Sequence, residues 1–155
     1  MVLGYIEIKF NNGSTDPNYA DAAIASIDGS VSRSSGWQFA EAKTGRKDYQ
    51  VSGTTTVKPR DTVRKSGRTS NVTTNKVIYT DGSAIIDYGS DTSPKPAYFT
   101  DQIIVKQPFI KSGDSGSCVD KNGKFAGLAF AASPTHAIVC KAEYFVGPLG
   151  INVGP

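Results

Sequence analysis

The chain has 155 residues, enough for one ordinary domain or two small β-barrels, and its 38% apolar content is normal for a folded globular protein. Its 17 Lys and Arg against 14 Asp and Glu leave a formal charge of only +3, far less than the concentrated positive field that nucleic-acid binding needs. No apolar run approaches the roughly 20 residues that cross a bilayer. Neither a nucleic acid nor a membrane is therefore expected as a partner.

The basic and cysteine residues indicate no specific ligand. The densest basic stretch, residues 58–68, is interrupted by Asp61 and lies among Thr, Val and Ser, so we interpret it as an exposed strand. Cys118 and Cys140 are 22 residues apart without CxxC spacing, which indicates small buried thiols and leaves a cross-strand disulfide open. The sequence contains no metal-ligand cluster, P-loop or dinucleotide fingerprint, so we predict no metal and no cofactor.

Short apolar runs separated by turn residues follow one another along the chain, which has 16 Gly and 8 Pro. The first run, residues 2–10, alternates and ends at the turn residues 11–13, and a second covers residues 22–27. The polar residues 30–49 form the candidate connection between two halves of the chain. Further strands are predicted at residues 50–58, 75–80, 84–88, 102–106, 118–120, 124–131 and 137–144.

This succession of short strands favours an all-β sandwich or barrel over an α/β arrangement. The one short helical candidate, residues 20–27, is too short to change the class. Asn122 and Gly123, between two of the later predicted strands, are the strongest short-range signal for a β-hairpin.

The hexapeptide Ser-Gly-Asp-Ser-Gly-Ser at residues 112–117 is the segment most suggestive of chemistry. A serine that attacks a carbonyl must stand on a tight turn free of obstructing side chains, and backbone N–H groups must point at the developing oxyanion. Ser115 would be that nucleophile, with the N–H groups of Gly113 and Ser115 as donors. The same residue types are also common in surface turns. The apolar run 125–131, a strand returning past Ser115, favours the nucleophile.

Three segments, in this order, resemble trypsin-like serine peptidases, with the closest likeness to the microbial and fungal branch. Residues 19–25 are similar to the D-A-A-I segment that carries the triad aspartate. Residues 63–73 are similar to the K-x-G-R-T-T-G-x-T segment that opens the second barrel. Residues 113–117 with 127–133 resemble the nucleophile loop and the hairpin after it. The resemblance covers nearly the whole chain.

The resemblance implies a chymotrypsin-like double β-barrel of Greek-key topology, with residues 1–49 as a partial first barrel and connection and residues 50–155 as a complete second barrel. It implies a serine endopeptidase that hydrolyses peptide bonds through an acyl-enzyme on Ser115, with an oxyanion hole at Gly113. Asp21, 94 residues before Ser115 and close to the family spacing, would orient a histidine in a catalytic triad. From the residues alone, Asp21 is also a candidate N-cap of a short helix.

The same resemblance implies a polypeptide substrate. Phe130, Ala131 and Ala132 would form the edge against which the substrate backbone pairs, as an added β-strand. Phe109 would lie near the bottom of the side-chain pocket, although a Phe after a Pro is also typical of a core. His136 would border that pocket, with a turn histidine without a role as the alternative.

The chain departs from the family in its histidine. A serine hydroxyl needs a base, normally a histidine held by the aspartate, and in this family the histidine precedes the aspartate. His136 is the one histidine of the sequence and follows Ser115, so a rearranged triad using it is disfavoured. We expect a fragment, inactive alone, that needs an upstream segment to complete the first barrel and supply the histidine. The alternatives are a catalytically dead, protease-like peptide-binding module and a structural β domain.

Overall fold

The computed structural model describes residues 1–11, 16–32, 34–40, 45 and 47–154. These residues form strands and a single 3-10 turn, Ala142–Tyr144. The strands are β1 (Val2–Tyr5), β2 (Ala23–Ala25), β3 (Trp37–Gln38), β4 (Tyr49–Gln50), β5 (Thr62–Gly67), β6 (Asn71–Asp87), β7 (Pro96–Lys106), β8 (Ser117–Lys121), β9 (Lys124–Ala132) and β10 (His136–Lys141). The predicted all-β class is confirmed.

Six consecutive strands, β5 to β10, close into one antiparallel barrel. Around the barrel the order is β10, β7, β6, β5, β8 and β9, so β5 pairs with β8 as well as with its sequence neighbour β6. The chain therefore crosses the barrel between β7 and β8, which is a Greek-key connection. The remaining strands form two separate two-stranded sheets, β1 with β2 and β3 with β4.

The β8–β9 hairpin contains the predicted Asn-Gly turn. Asn122 and Gly123 have φ values of 52° and 74°, as a two-residue turn that matches the strand twist requires. The Asp120 carboxylate accepts the Gly123 N–H at 2.9 Å and two hydrogen bonds from the Arg64 guanidinium, at 3.0 and 2.9 Å. Because Arg64 stands on β5, this carboxylate joins the turn to the neighbouring barrel strand. The hairpin prediction is confirmed.

Strand boundaries differ from the predicted ones where backbone pairing overrides local composition. The predicted strands 75–80 and 84–88 are parts of one strand, β6. Its register against β7 shifts on both sides of Gly82, so bulges keep the pairing continuous through a segment whose residues indicate a turn. The predicted strand 137–144 ends at Lys141, because the next three residues form the 3-10 turn.

In the N-terminal third, pairing is sparser than predicted. The predicted strand 2–10 is shortened to β1. The predicted strand 50–58 is wrong beyond Gln50, where the chain makes single hydrogen bonds to the β8–β9 hairpin instead of a ladder. The candidate connection 30–49 contains β3, which pairs with β4. In the predicted turn 11–13, Asn12 and Gly13 lie outside the described residues.

Buried apolar side chains form two clusters on opposite faces of the barrel wall, because successive residues of a strand point to opposite sides. The inner cluster consists of Val63, Val77, Ile103, Val105, Phe109, Ile110, Val119, Ala129, Ala137 and Val139. The outer cluster consists of Ala20, Ala22, Ala40, Tyr49, Val51, Val72, Phe125, Cys140, Ala142 and Phe145. The outer cluster packs the N-terminal segment and the C-terminal end against the barrel. The division into two barrels at residue 49 stays a prediction.

Strands β9 and β10 approach each other closely at Gly127, and a substitution there tests this contact. A Cβ at Gly127 would lie 2.0 Å from the carbonyl oxygen of Cys140 on β10. Gly127→Ala must therefore push the two strands apart, and we expect it to lower the free energy of unfolding by about 3 kcal/mol. Gly29→Ala is the control, because a Cβ there meets nothing within 4 Å and should change stability by less than about 0.5 kcal/mol. Urea denaturation measures both; equal losses would contradict the close approach.

Candidate active site

Residues 112–117 bend sharply around an exposed serine. Gly113 and Gly116 have φ values of 92° and 86°, in the left-handed region that favours glycine. A Cβ on Gly113 would also lie 2.5 Å from Thr69 Oγ1. The Ser115 side chain is exposed on this bend, and within the described ranges the N–H groups of Gly113 and Ser115 donate no hydrogen bond. The bend thus presents an exposed hydroxyl together with two backbone N–H groups that have no hydrogen-bond acceptor among the described residues.

The bend is anchored by Asp114, whose carboxylate is fully buried. Lys65 Nζ lies 3.1 Å from Asp114 Oδ2, and neither side chain is exposed to solvent. The same oxygen accepts the Ser70 hydroxyl at 2.5 Å and the Lys111 N–H at 2.9 Å. Asp114 Oδ1 accepts the N–H groups of Thr69 and Ser70 at 2.8 and 3.1 Å. Donors from β5, from the β5–β6 turn and from Lys111, the residue before the bend, thus converge on one carboxylate.

These hydrogen bonds decide the ionisation of the buried pair. Burial alone raises the pKa of Asp114, but the hydrogen bonds from Ser70, Lys111 and Thr69 outweigh it and hold the pKa well below its usual range. Burial lowers the pKa of Lys65, and the hydrogen bond and charge of Asp114 act against that shift. Lys65 Nζ also donates to the Ser70 hydroxyl at 2.6 Å. Since that hydroxyl donates to Asp114, Ser70 links the ammonium to the carboxylate a second time.

A β-bulge in β9 points two consecutive carbonyl groups at the bend. The register between β9 and β10 skips Phe130, which has no partner of its own on β10. The Ala129 carbonyl accepts the Gly116 N–H at 2.7 Å, and the Phe130 carbonyl accepts the Ser115 hydroxyl at 3.2 Å. The bulge therefore places the serine hydroxyl at the backbone of β9.

Past this bulge, β9 extends beyond its neighbour β8. The first β8 residue, Ser117, pairs with Ala129, so residues 130–132 have no β8 partner in the described chain. The Ser133 N–H donates to the His136 carbonyl at 2.8 Å across the β9–β10 turn. In an antiparallel pair of strands, successive residues alternate between pointing their backbone N–H and C=O groups toward the partner strand and away from it. Since the Ser133 N–H points toward β10, the backbone polar groups of Ala132 point away from β10. A free strand edge thus begins beside Ser115.

Asp21 reaches the barrel from the N-terminal segment. The Cys140 Sγ lies 3.6 Å from the Asp21 main-chain carbonyl and 3.5 Å from the Leu128 carbonyl on β9. The Asp21 carboxylate accepts a hydrogen bond from the Tyr88 hydroxyl at 2.6 Å. Burial, together with this hydrogen bond and the charge of Asp21, raises the pKa of the Tyr88 phenol. The residues after Asp21 form strand β2, so the interpretation of Asp21 as a helix N-cap is wrong.

A row of aromatic side chains connects Asp21 with Ser115. The ring centroids of Tyr88 and Phe99 are 6.4 Å apart, and those of Phe99 and Phe130 are 4.9 Å apart. Tyr88 contacts the Asp21 carboxylate at one end, and the Phe130 carbonyl contacts the Ser115 hydroxyl at the other. Two residues that are distant in sequence thus lie at the two ends of one packed row.

The two predicted pocket residues lie in different environments. Phe109 is 1% exposed and belongs to the inner cluster of the barrel. His136 is partly buried and lines, with Ala132, a mainly apolar groove of about 460 Å³. The His136 carbonyl accepts the N–H of Ser133. Ser133 is three residues beyond Phe130, whose carbonyl contacts the Ser115 hydroxyl, and three residues of extended chain span about 10 Å. The roles of Phe109 and His136 at a substrate pocket stay predictions.

Sequence reasoning missed Lys65 and Tyr88. The composition of residues 58–68 predicts an exposed strand, but Lys65 is fully buried, so the prediction is wrong at this residue. A signal existed: Lys65 lies two positions after the buried Val63 on β5 and therefore on the same face of the strand. Tyr88 has no such signal, because its contact with Asp21 depends on the folded position of the β6–β7 hairpin.

The cysteines and acidic residues form no further site in the described part of the chain. Cys118 and Cys140 are both free thiols, and each is paired with Leu128 from opposite sides of β9, which excludes a disulfide between them. Burial raises the pKa of these thiols to about 12 and about 11. No three His, Cys, Asp or Glu side chains among the described residues are placed to hold a metal ion. No helix in those residues is long and apolar enough to cross a membrane.

Comparison with known proteins finds no matching family and no match among curated proteins, but it finds similar solved structures. A glutamic acid specific serine protease is 17% identical, with a TM-score of 0.66 over 91% of this chain and 71% of that one. Cellulomonas bogoriensis chymotrypsin is 16% identical, with a TM-score of 0.69 over 91% of this chain and 72% of that one. Nocardiopsis protease is 12% identical, with a TM-score of 0.59 over 72% and 57%. The chain therefore has the all-β chymotrypsin-like serine protease fold.

The buried ion pair can be tested through its cation. Lys65→Ala leaves the Asp114 carboxylate buried without a counter-charge, and we expect it to lower the free energy of unfolding by about 3–5 kcal/mol. Lys121→Ala is the control, because it removes a partly exposed pair with Asp61, which should cost at most about 1 kcal/mol. Both are measured by urea denaturation at pH 7. Losses of similar size would contradict an anchoring role for Lys65.

The hydrogen bonds to Asp114 predict a pH dependence of stability. A folded-state pKa below the unfolded value of about 3.9 stabilises the protein above that pH, and the contribution is lost as the pH falls. Ser70→Ala removes a donor to the carboxylate, so the folded-state pKa rises and acid unfolding should begin at higher pH. Ser30→Ala, which removes the hydroxyl bonded to exposed Asp28, is the control. Coincident acid transitions in far-UV circular dichroism would contradict this assignment.

Proposed function

We propose that the chain carries the nucleophile of a serine endopeptidase, with Ser115 as the attacking group. The observation that carries the proposal is the anchored bend, which holds an exposed hydroxyl and two free N–H groups at the start of an unpaired strand edge. Similarity to serine proteases supports the proposal at the level of the fold.

In the proposed reaction, Ser115 Oγ attacks the carbonyl carbon of a peptide bond and passes its proton to a base. The N–H groups of Gly113 and Ser115 stabilise the oxyanion of the tetrahedral intermediate, each by about 3–4 kcal/mol. The C–N bond then breaks, the base returns the proton to the leaving amine, and an acyl-enzyme remains on Ser115. Water hydrolyses this ester by the same steps in reverse roles. Asp21 is proposed to orient the base.

The proposed substrate is a polypeptide in extended conformation. The backbone groups of Ala132 point away from β10 and the Phe130 carbonyl faces the bend, so a peptide can add to β9 as a further strand. Such a peptide passes Ser115, because the serine hydroxyl lies at the first residue of this edge. His136 is proposed to border the side-chain pocket and Phe109 to support its floor from the barrel core.

The proposed base is a histidine from an upstream segment. The His136 ring is 2.8 Å from the Thr135 hydroxyl through Nδ1, and the Ser115 hydroxyl donates to the Phe130 carbonyl instead of to an imidazole. The β1–β2 sheet leaves Val2, Leu3 and Tyr5 between 59% and 68% exposed, and two strands alone form a marginally stable sheet. Further strands added there would complete the first barrel, cover these side chains and bring the histidine to Asp21.

Labelling with a fluorophosphonate tests the enzyme proposal. The chain expressed together with its encoded upstream segment should be labelled at Ser115, and the isolated 155-residue chain should react poorly because it lacks the base. Ser115→Ala should abolish labelling, and Asp21→Asn should slow it about 10⁴-fold. Intact mass and peptide mapping identify the modified residue. Labelling at another residue, or none on correctly folded material, would count against Ser115 as the nucleophile.

A second candidate function is peptide binding without hydrolysis. It is favoured by the hydrogen bond of the Ser115 hydroxyl to the Phe130 carbonyl, and by the lack of an imidazole beside Ser115 among the described residues. In that case extended peptides should bind equally well to the wild type and to Ser115→Ala, as measured by fluorescence polarisation. Neither protein should cleave them, even when the upstream segment is present.

A further inference from the structure

Tyr88 contacts the proposed triad carboxylate from a distant part of the chain. Its hydroxyl donates to Asp21 Oδ2 at 2.6 Å, across 67 residues of sequence. The Tyr88 ring packs edge-on against Phe10, with centroids 6.0 Å apart, and against Phe99 at 6.4 Å. The ring is thus held from two sides, and its hydroxyl is directed at one carboxylate oxygen.

Hydrogen bonds of the β6–β7 hairpin fix the backbone around Tyr88. The neighbouring Asp87 carboxylate accepts the N–H groups of Gly89 and Lys95, both at 2.8 Å, and so closes the β6–β7 hairpin. The Tyr88 N–H donates to the Lys95 carbonyl at 3.1 Å. A Cβ on Gly89 would lie 2.1 Å from the Ser93 carbonyl oxygen, so the turn is tight at the residue after Tyr88. The hydroxyl therefore has a defined position relative to the barrel.

We propose that Tyr88 is the positioning residue for the Asp21 carboxylate. A carboxylate that orients an imidazole must present one oxygen to the ring N–H in a fixed direction. Tyr88 occupies Oδ2 with a charge-assisted hydrogen bond, which leaves Oδ1 for the histidine. This inference rests on the proposed function, because it assigns Tyr88 a role only if Asp21 orients a catalytic base.

Two further observations fit this role. Burial, the hydrogen bond and the charge of Asp21 raise the pKa of the Tyr88 phenol, so it stays protonated and remains a donor throughout the neutral range. Phe99, which is 0% exposed, packs between Tyr88 and Phe130, whose carbonyl holds the Ser115 hydroxyl. The residue that holds the carboxylate and the residue that holds the nucleophile are therefore packed against the same buried ring.

The test compares rates of fluorophosphonate labelling in the chain expressed with its encoded upstream segment. Tyr88→Phe removes the hydroxyl and keeps the ring, and we expect it to slow labelling of Ser115 about tenfold. Tyr98→Phe is the matched control, because Tyr98 is on β7 of the same hairpin and its hydrogen bonds to Asn18 and Asn11 use only its backbone. The control should label at the wild-type rate.

A double-mutant cycle separates positioning from general destabilisation. If Tyr88 acts through the carboxylate, Tyr88→Phe should cause no further loss of rate in an Asp21→Ala background. A loss that persists in that background, or a Tyr88→Phe rate equal to wild type, would overturn the positioning role while leaving the nucleophile assignment intact. If the wild-type assembly itself is not labelled at Ser115, the proposed function fails, and the role of Tyr88 fails with it.

Discussion

The candidate site depends on the buried ion pair between Lys65 and Asp114. Removing two charges from water is costly, and here the cost is offset because hydroxyl and backbone donors converge on the carboxylate in addition to the ammonium. The pair connects the interior side of β5 to the residue directly before Ser115. Ser115 can therefore remain exposed to solvent, because the contacts of Asp114 fix the position of the bend.

The second requirement is a strand that reaches the serine and then continues unpaired. The bulge at Phe130 satisfies it, because it turns two successive carbonyls of β9 toward the bend. Beyond the bulge β8 has ended, so residues 130–132 keep a free edge while β10 supports them from behind. The outer apolar cluster then brings the N-terminal segment against the same strands and sets Asp21 beside them. The exposed Ser115, the free strand edge and the Asp21 carboxylate are thus placed by one barrel wall.

Local signals predicted the elements that local chemistry controls. The Asn-Gly turn at residues 122 and 123 and the glycine-flanked bend at Ser115 both require positive φ, which few residue types tolerate. The course of β6 was not predictable in this way, because its turn-like middle is kept in the sheet by bulged pairing with β7. The burial of Lys65 follows from its position on the same face of β5 as Val63, which the composition of residues 58–68 does not reveal. The contact of Tyr88 with Asp21 has no counterpart in sequence spacing.

The sequence by itself determined the all-β class, the β8–β9 hairpin and the bend that presents Ser115, because each follows from backbone preferences of a few adjacent residues. Only the tertiary structure decided which groups surround that bend. Lys65 and Asp114 are buried together and form an ion pair. Residues 130–132 have no partner on β8, because β8 begins opposite Ala129. The packing of the β6–β7 hairpin brings Tyr88 to Asp21. These contacts join residues 49 and 67 positions apart, and their formation depends on closure of the whole barrel rather than on any short segment.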